Sequence, residues 1–330
     1  MKAGKVSEAI LKRSVIKTIK YKGGDAYIGS GVGNDAAVTR DGFVTATAVA
    51  GLLFEEENLY FDCNRCIYTA VNNVAAESGI CQGILVDIIM PEKRLEPELK
   101  ELMRYISGVC KTAKLEITGG NTEVSKSVIK PIVSFTAYGK YALEDFESPK
   151  RCTGAGYDIV MSKRIGISGT IGLAKEKYSE LTEKFQASYI RNALEREDMM
   201  DVRREADIAR KYGVRVMHDL SRGGIYLALW QLAEKTGKGV EADADKISVY
   251  QETIEICELY GINPYKLMSN GALLMVCEDG DGLCEKLVNE GVEARIIGKL
   301  TDNNDKVIVK NEDRRFIEPP RRDELEIFFG

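Results

Sequence analysis

Short runs of β-branched residues alternate along this chain with longer segments of helical periodicity, and this alternation limits the folds that it can adopt. Phe43–Val49 has the composition of a strand, and apolar residues then recur at helical spacing over Leu59–Val74. Further strands are predicted at Ile84–Met90, Tyr157–Met161 and Ala272–Cys277. Strands that alternate with helices form layered sheets, so the pattern predicts an α/β or α+β fold.

The chain is long enough for two domains. Its 330 residues correspond to two units at about 150 residues per domain. Apolar periodicity is weak over Tyr141–Gly156, which also contains Ser148-Pro149 and a Gly-Ala-Gly sequence. We therefore predict one domain at residues 1–150 and a second at residues 151–330.

Charge and cysteine content narrow the class of protein. The 46 Lys and Arg residues are scattered and are outnumbered by 51 Asp and Glu, which argues against nucleic acid or an anionic membrane as a partner. No apolar run approaches the ~18 residues of a membrane span, and no signal-peptide core is evident. The eight dispersed Cys favour reduced thiols, so a cytoplasmic protein is expected. Cys63 and Cys66 have ligand spacing, but without a second such pair we interpret them as packing residues.

The first candidate site is a glycine-rich loop at Gly29–Val38. Gly31 and Gly33 allow backbone N–H groups to approach an anion, and Asp35 follows directly. The loop is neither a Walker motif nor a dinucleotide fingerprint. Taken alone, the segment is better explained as a plain glycine turn.

Two further segments carry polar residues at predicted element ends. Asn73 and Glu77 lie one helical turn apart and share a face. Gly119-Gly120-Asn121 follows a predicted strand, where a phosphate or metal contact and a hairpin-like turn are about equally expected.

The fourth candidate segment, Val216–Gly224, holds the only histidine, His218. That count excludes a metal site built from several histidines. A double glycine opens a helix here, and helix N-termini attract anions. The simpler interpretation makes His218 a structural hydrogen-bonding residue and makes Asp219 and Ser221 helix caps.

The order and content of several sequence blocks resemble the AIR-synthase-like ATP-binding superfamily. This superfamily includes aminoimidazole ribonucleotide synthetase, thiamine-monophosphate kinase, selenophosphate synthetase and the hydrogenase maturation factor HypE. The second half is most similar to HypE-type proteins, which share an Asp-x-Ser/Thr-Arg-Gly-Gly block. The blocks that carry the resemblance are Gly33–Val38, Val71–Asn73, Thr118–Thr122, Ser168–Gly172, His218–Gly224, Tyr260–Pro264 and Ser269–Leu274.

The resemblance implies a two-domain fold and a nucleotide site. The N-terminal domain would form a β-barrel by pairing with a second subunit, and a C-terminal α/β domain would pack against it. ATP would lie in a cleft, with a homodimer and another maturation protein as the implied partners. The residues that the resemblance assigns to ATP binding are Gly31, Gly33, Asn34, Asp35, Asn73, Gly119, Gly120 and Asn121.

The chain departs from the superfamily at its metal-binding acids. The matching positions read Asn34-Asp35, Thr47-Ala48, Asn72-Asn73 and Gly120-Asn121-Thr122, so only Asp35 keeps a carboxylate. Mg²⁺ depends on carboxylate and phosphate oxygens, and weak metal binding through Asp35 is expected. Whether Glu77, Glu123 or Asp87 replaces the missing ligands stays open.

HypE-type enzymes end in a cysteine that accepts a carbamoyl group, whereas this chain ends Glu326-Ile-Phe-Phe-Gly330. The reaction on that thiol is therefore not carried over, and no catalytic residue is assigned. The leading hypothesis is a HypE-like ATP-binding maturation protein with altered metal motifs, of the phosphotransfer or dehydration type if active. The alternatives are an inactive paralogue that binds a nucleotide or a partner, and a small-molecule kinase resembling thiamine-monophosphate kinase.

Overall fold

The computed structural model describes residues 4–21, 23–142, 150 and 152–330. These residues form a mixed α/β structure with two β-sheets, one in each half of the chain. Within the described residues, no helix is both long and apolar enough to cross a membrane.

The first half forms a six-stranded sheet with the order β1-β2-β3-β6-β4-β5. The β4–β5 pair is parallel, and the other pairs are antiparallel. A π-helix at Leu11–Val15 and 3-10 helices at Ile16–Thr18 and Glu56–Asn58 supplement the main elements. The strands and α-helices are α1 (Glu8–Ile10), β1 (Ala26–Ile28), β2 (Ala37–Thr39), β3 (Phe43–Ala50), α2 (Leu59–Ala76), β4 (Gly79–Pro91), α3 (Glu96–Thr112), β5 (Ile117–Ser125) and β6 (Ile132–Tyr141).

One face of this first sheet is packed and the other is open. Alternate residues of β6 are buried, including Val133 and Phe135, because α2 covers that face. The intervening residues face outward, where the hydroxyls of Thr47 and Thr136 lie 3.0 Å apart. The alternation of small apolar and hydroxyl residues in β3 is therefore the pattern expected of a strand in a sheet with one covered face.

The second half forms a seven-stranded sheet with the order β13-β12-β9-β11-β7-β10-β8. The β9–β12 pair is parallel, and the other pairs are antiparallel. 3-10 helices lie at Glu197–Met200, Ala244–Lys246 and Pro264–Lys266. The strands and α-helices are β7 (Asp158–Ser162), α4 (Ile167–Glu176), α5 (Tyr178–Lys184), α6 (Ala187–Leu194), α7 (Arg203–Tyr212), β8 (Val216–Asp219), α8 (Gly224–Thr236), β9 (Gly239–Asp243), α9 (Gln251–Tyr260), β10 (Leu273–Cys277), α10 (Gly280–Asn289), β11 (Ala294–Thr301), β12 (Lys306–Lys310), β13 (Asp313–Phe316) and α11 (Glu324–Phe328).

Helices cover both faces of the second sheet. Leu229 of α8 packs with Ile159 and Leu274 on one face. Ala206 of α7 packs with Val160 on the other face. Strands buried on both sides read as continuous apolar runs, which is why β7 and β10 were predictable from sequence.

The predicted α/β class is confirmed, and several local predictions are wrong. The sequence of the charged region Ser179–Tyr212 predicts one long helical stretch, but the structure has three α-helices and a 3-10 helix there. Gly119-Gly120-Asn121 lies inside β5, not at a polar turn, because pairing with β4 overrides the turn preference of these residues. The strands Gly239–Asp243 and Asp313–Phe316 carry too few apolar residues to be predicted.

Two other predictions have different outcomes. The boundary between residues 150 and 151 adjoins residues 143–149 and 151, which lie outside the described residues, so it stays a prediction. Cys63 and Cys66 are both buried on α2 within the first hydrophobic core. They are packing residues, as predicted.

Candidate functional site

Loops from both halves of the chain meet in one cleft of about 200 Å³. The loop at Gly31–Asp35 forms one wall, Asn73 of α2 lies beside it, and Ser221–Gly223 before α8 closes the opposite side. The N-terminal segment Lys5–Glu8 and the segment Pro320–Asp323 form the rim. Five predicted residues therefore share a site: Gly31, Gly33, Asn34, Asp35 and Asn73.

Gly33 is required by the close approach of the loop to α8. Its φ is +83°, and a Cβ there would lie 2.4 Å from the backbone oxygen of Gln231. Asn34 holds the same loop, since its Nδ2 donates to the oxygen of Gly29 at 2.9 Å. The glycine pattern thus has a packing role in addition to any contact with a ligand.

Asp35 is buried at the base of the cleft between two basic side chains. Its Oδ2 lies 2.9 Å from Nδ1 of His218 and accepts from Nζ of Lys235 at 3.1 Å. Burial raises the pKa of Asp35, but His218 and Lys235 together outweigh burial, so its pKa lies below the ordinary value. Asp35 is therefore ionised and already paired within the chain.

Lys235 joins Asp35 to a second carboxylate, that of Glu77. Its Nζ donates to Oε1 of Glu77 at 2.7 Å and to the backbone oxygen of Met217 at 2.8 Å. The backbone N–H of Asp35 donates to the same Oε1 at 2.9 Å. Burial lowers the pKa of Lys235, yet the two carboxylates raise it above the ordinary value overall. We call Asp35, Glu77, His218 and Lys235 the buried charge cluster.

His218 acts as a hydrogen-bonding link between elements. Its Nε2 lies 3.0 Å from Oε1 of Gln231 on α8, while Nδ1 faces Asp35. Its side chain is almost fully buried. This arrangement agrees with the structural interpretation of the histidine.

The predicted helix caps of α8 are wrong. Neither Asp219 nor Ser221 caps the helix; its N-cap is Gly223, whose N–H donates to Oδ2 of Asp323 at 2.6 Å. The carboxylate that accepts this bond is 100 residues away in sequence, so no local pattern could have identified it. Asp219 is instead buried, and burial followed by the charge of Asp35 raises its pKa well above the ordinary value.

Asp323 should make stability depend on pH. Burial raises its pKa to about 6, against the hydrogen bonds from Gly223 and Leu325. The folded state then holds this proton more tightly than the unfolded state, so Asp323 destabilises the protein progressively as pH rises from about 4 to about 6. Through Asp323, the free energy of unfolding of the wild type should fall by about 3 kcal/mol over this pH range, and Asp323→Asn should abolish this decrease. Urea unfolding of the wild type and of Asp323→Asn at pH 4 and pH 7 measures this difference. An equal change in the free energy of unfolding of both proteins would contradict the prediction.

The remaining predicted residues, Gly119, Gly120 and Asn121, lie outside this cleft. They occupy the exposed edge strand β5, where Nδ2 of Asn121 donates to Oε1 of Glu123 at 2.9 Å. Asp87 is the partner of Asn121 across the β4–β5 pair. Of the candidate replacement ligands, Glu77 therefore lies beside Asp35, and Asp87 and Glu123 lie on the sheet with Asn121.

Sequence reasoning missed Lys235. The available signal was a lysine on the apolar side of α8, close to Leu232 and Ala233, both buried in the second core. A lysine in that position is almost never fully buried unless it is paired. Its partners, at sequence separations of 158 and 200 residues, could not be read from the chain.

The donor set of the cleft does not fit the magnesium ion that the resemblance implies. Asp35 lines the cleft and Glu77 is buried behind it, and both are paired with Lys235. Among the described residues, no group of three or more His, Cys, Asp or Glu side chains is arranged to hold a metal ion. Mg²⁺ requires near-octahedral oxygen ligation at short distance, which these engaged carboxylates do not offer.

Comparisons with known proteins agree with this architecture. Two protein-family models match the sequence. The family described as AIR synthase related protein, N-terminal domain, matches residues 23–141, and the family described as AIR synthase related protein, C-terminal domain, matches residues 154–310. A Methanocaldococcus jannaschii protein named for hydrogenase expression/formation is 25% identical over 336 residues, covering 98% of this chain and 96% of the relative. Carbamoyl dehydratase HypE of Cupriavidus necator is 24% identical over 245 residues, covering 72% of this chain and 67% of the relative.

Solved structures share the fold at low sequence identity. A HypE–HypF complex contains a chain with TM-score 0.75 and 18% identity, covering 94% of this chain and 100% of that chain. AaThiL complexed with AMPPCP and TMP has TM-score 0.71 and 20% identity, covering 93% and 94%. HypE in complex with ATP has TM-score 0.64 and 16% identity, covering 89% and 92%.

Proposed function

Because the chain belongs to the AIR synthase related family, we propose that it is a HypE-like hydrogenase maturation protein that binds ATP in the cleft between its two halves. The observation that carries the proposal is the convergence of the Gly31–Asp35 loop, Asn73 and the Ser221–Gly223 segment. The ATP complex of one HypE relative and the maturation names of the curated relatives support it. We place the functional unit in two domains, residues 1–150 and 151–330.

The cleft suits the phosphate end of a nucleotide. Nucleotide-sized ligands occupy pockets of about 300–1,000 Å³, and this cleft of about 200 Å³ accommodates only a part of ATP. Backbone N–H groups of the glycine loop and the N-terminus of the 13-residue helix α8 are suitable for phosphate oxygens. The guanidinium of Arg222 lies in the same cleft and is held by Oε1 of Glu326 at 2.9 Å.

Replacing Asn73 tests the nucleotide site. A neutral amide that donates to a phosphate contributes about 1.5–3 kcal/mol, so Asn73→Ala should weaken ATP binding at least about tenfold. Isothermal titration calorimetry with ATP measures the change. Asn72→Ala is unsuitable as a control, because Nδ2 of Asn72 donates to Met200 in the core.

A second variant, Asn121→Ala, distinguishes a site within one chain from a site shared between two subunits. Asn121 is an exposed asparagine outside the cleft of its own chain. Unaltered ATP affinity in Asn73→Ala would contradict the proposed site. Weakening in both variants would instead place Asn121 at the site of a second subunit.

We propose a homodimer built on the first sheet. Residues 118–124 of the edge strand β5 are all exposed, including Val124 at 65%, and no helix within the described residues covers one face of the sheet. Unpaired strand edges are normally covered or paired, and an isologous second copy would do both. The closed dimeric barrel follows from this proposal. Light scattering at micromolar concentration should give twice the chain mass of 36.6 kDa, and a strictly monomeric mass would contradict it.

The partner of this chain would be another maturation protein. The structural likeness to HypE in a HypE–HypF complex covers 94% of the chain and supports this assignment. We also propose that the protein acts in the cytoplasm.

A second candidate function is nucleotide or partner binding without turnover. The observation that favours it is the pairing of Asp35 with Lys235, which engages the carboxylate that the resemblance assigns to a metal ion. Steady-state ATP hydrolysis separates the two functions. Turnover that disappears in Asp35→Ala would exclude the non-catalytic alternative.

A further inference from the structure

We propose that the ammonium group of Lys235 is a resident cation between Asp35 and Glu77, so that the cleft takes its anionic ligand without a divalent metal ion bound to these carboxylates. The inference deepens the proposed nucleotide-binding function and rests on it. The question is whether the positive charge between the two carboxylates comes from a bound metal ion or from a side chain. In this chain, that charge is part of helix α8.

The geometry of Lys235 leaves no free bonding capacity. An ammonium group has three N–H donors. Its three acceptors are Oε1 of Glu77 at 2.7 Å, the backbone oxygen of Met217 at 2.8 Å and Oδ2 of Asp35 at 3.1 Å. The lysine side chain is 2% exposed, and those of Asp35 and Glu77 are 7% and 4% exposed. The cation is therefore held by charge and hydrogen bonds together, away from solvent.

The same contacts oppose the binding of a metal ion to Oδ2 of Asp35 and Oε1 of Glu77. A divalent cation bound to Oδ2 of Asp35 would compete with an ammonium group 3.1 Å from that oxygen, and the two like charges would repel. His218 occupies the other side of Oδ2 at 2.9 Å. Oε1 of Glu77 already accepts from both Lys235 and the N–H of Asp35. A metal ion at Oδ2 of Asp35 would have to displace the ammonium group of Lys235 from its almost fully buried position.

The position of Lys235 between the two carboxylates explains how a single lysine stabilises both. Two buried carboxylates need positive charge to remain ionised, and Lys235 lies in direct contact with both. Asp35 and Glu77 come from the first half of the chain, whereas Lys235 comes from the second. The resident cation therefore also joins the two halves of the chain, which a diffusible ion would do only when bound.

The experiment measures binding of Mn²⁺, as a paramagnetic probe of a magnesium site, to the full chain without nucleotide. Free Mn²⁺ is followed by electron paramagnetic resonance in wild type, Lys235→Met and Lys235→Gln. We expect no Mn²⁺ binding by wild type below millimolar concentration. We expect at least a tenfold gain in affinity in the lysine variants, because Asp35 and Glu77 are then free of the ammonium group.

Lys12→Met is the matched control. Lys12 forms a half-exposed ion pair with Glu234, also on α8, at 2.8 Å, and its loss should leave Mn²⁺ binding as in wild type. One equivalent of Mn²⁺ bound tightly by wild type and lost in Asp35→Asn would overturn the proposal. A folded lysine variant without gain in Mn²⁺ affinity would also overturn it. If neither lysine variant folds, the wild-type titration alone decides.

These outcomes do not depend on the proposed function. Failure to bind ATP with or without Mg²⁺ would refute nucleotide binding and leave the Mn²⁺ result unchanged. Conversely, wild type that binds ATP equally well with and without Mg²⁺ would support both. A gain of more than tenfold in ATP affinity on adding Mg²⁺, lost in Asp35→Asn, would overturn the resident cation alone.

Discussion

Gly120→Ala should lower the free energy of unfolding by about 3–5 kcal/mol, the sum of backbone strain and steric overlap. Gly120 lies within β5 at φ +144°, and a Cβ there would lie 1.8 Å from the backbone oxygen of Val86 on β4. Backbone atoms of a paired strand cannot move aside as a side chain can. The alanine variant must therefore separate β5 from β4 or change the conformation of β5.

Gly119→Ala provides the matched control one residue away. A Cβ at Gly119 meets Cδ2 of Leu85 at 3.4 Å, an ordinary van der Waals contact, and Gly119 has no unusual φ. Its substitution should cost less than about 1 kcal/mol. Urea unfolding of both variants measures the difference. An equal decrease in the free energy of unfolding for both variants would show that Gly119 and Gly120 are required for a reason other than the close approach of β5 to β4.

The second large effect is expected at Lys235. Removing one partner of a buried ion pair leaves uncompensated charge and costs about 3–5 kcal/mol. Lys235→Met keeps the length of the side chain but leaves Asp35 and Glu77 together in the core, so the free energy of unfolding should fall by that amount at neutral pH. Burial already raises the pKa of Glu77, so part of the loss should be recovered at lower pH by its protonation.

A compensating substitution tests the cause of this loss. Glu77→Leu added to Lys235→Met removes the charge left unpaired and should restore about half or more of the stability, because buried ion pairs are often replaceable by apolar residues. Lys12→Met, which breaks a half-exposed pair, should cost at most about 1 kcal/mol. A Lys235→Met loss no greater than that of Lys12→Met would show that the buried charge cluster contributes little to stability.

Much of the fold was predictable because local patterns carry it. The strands β3, β4, β7 and β10 follow from runs of apolar and β-branched residues, and helix α2 follows from apolar spacing between Leu59 and Val74. Elements without such a pattern were not found. Strand β13, all of whose residues are exposed, is specified by its pairing with β12 and not by its own composition.

The candidate site was predictable only in part. The Gly31–Asp35 loop and Asn73 were assigned to one site from the sequence, and they line the same cleft as His218 in the structure. Gly119, Gly120 and Asn121 were assigned to the same site, yet within one chain they lie on the edge strand β5. Sequence motifs identify candidate residues, but they do not show whether those residues meet within one chain or between two subunits.

Local sequence patterns were enough to predict the α/β class and the glycine loop before Asp35. The tertiary structure was needed to show that Lys235 pairs with Asp35 and Glu77, and that Asp323 accepts the N–H of Gly223, the N-cap of helix α8. The physical reason is desolvation. A buried charge or N–H must find a partner wherever the fold brings one, and these partners lie 100 to 200 residues away. Periodicity and local propensity contain no information at that range.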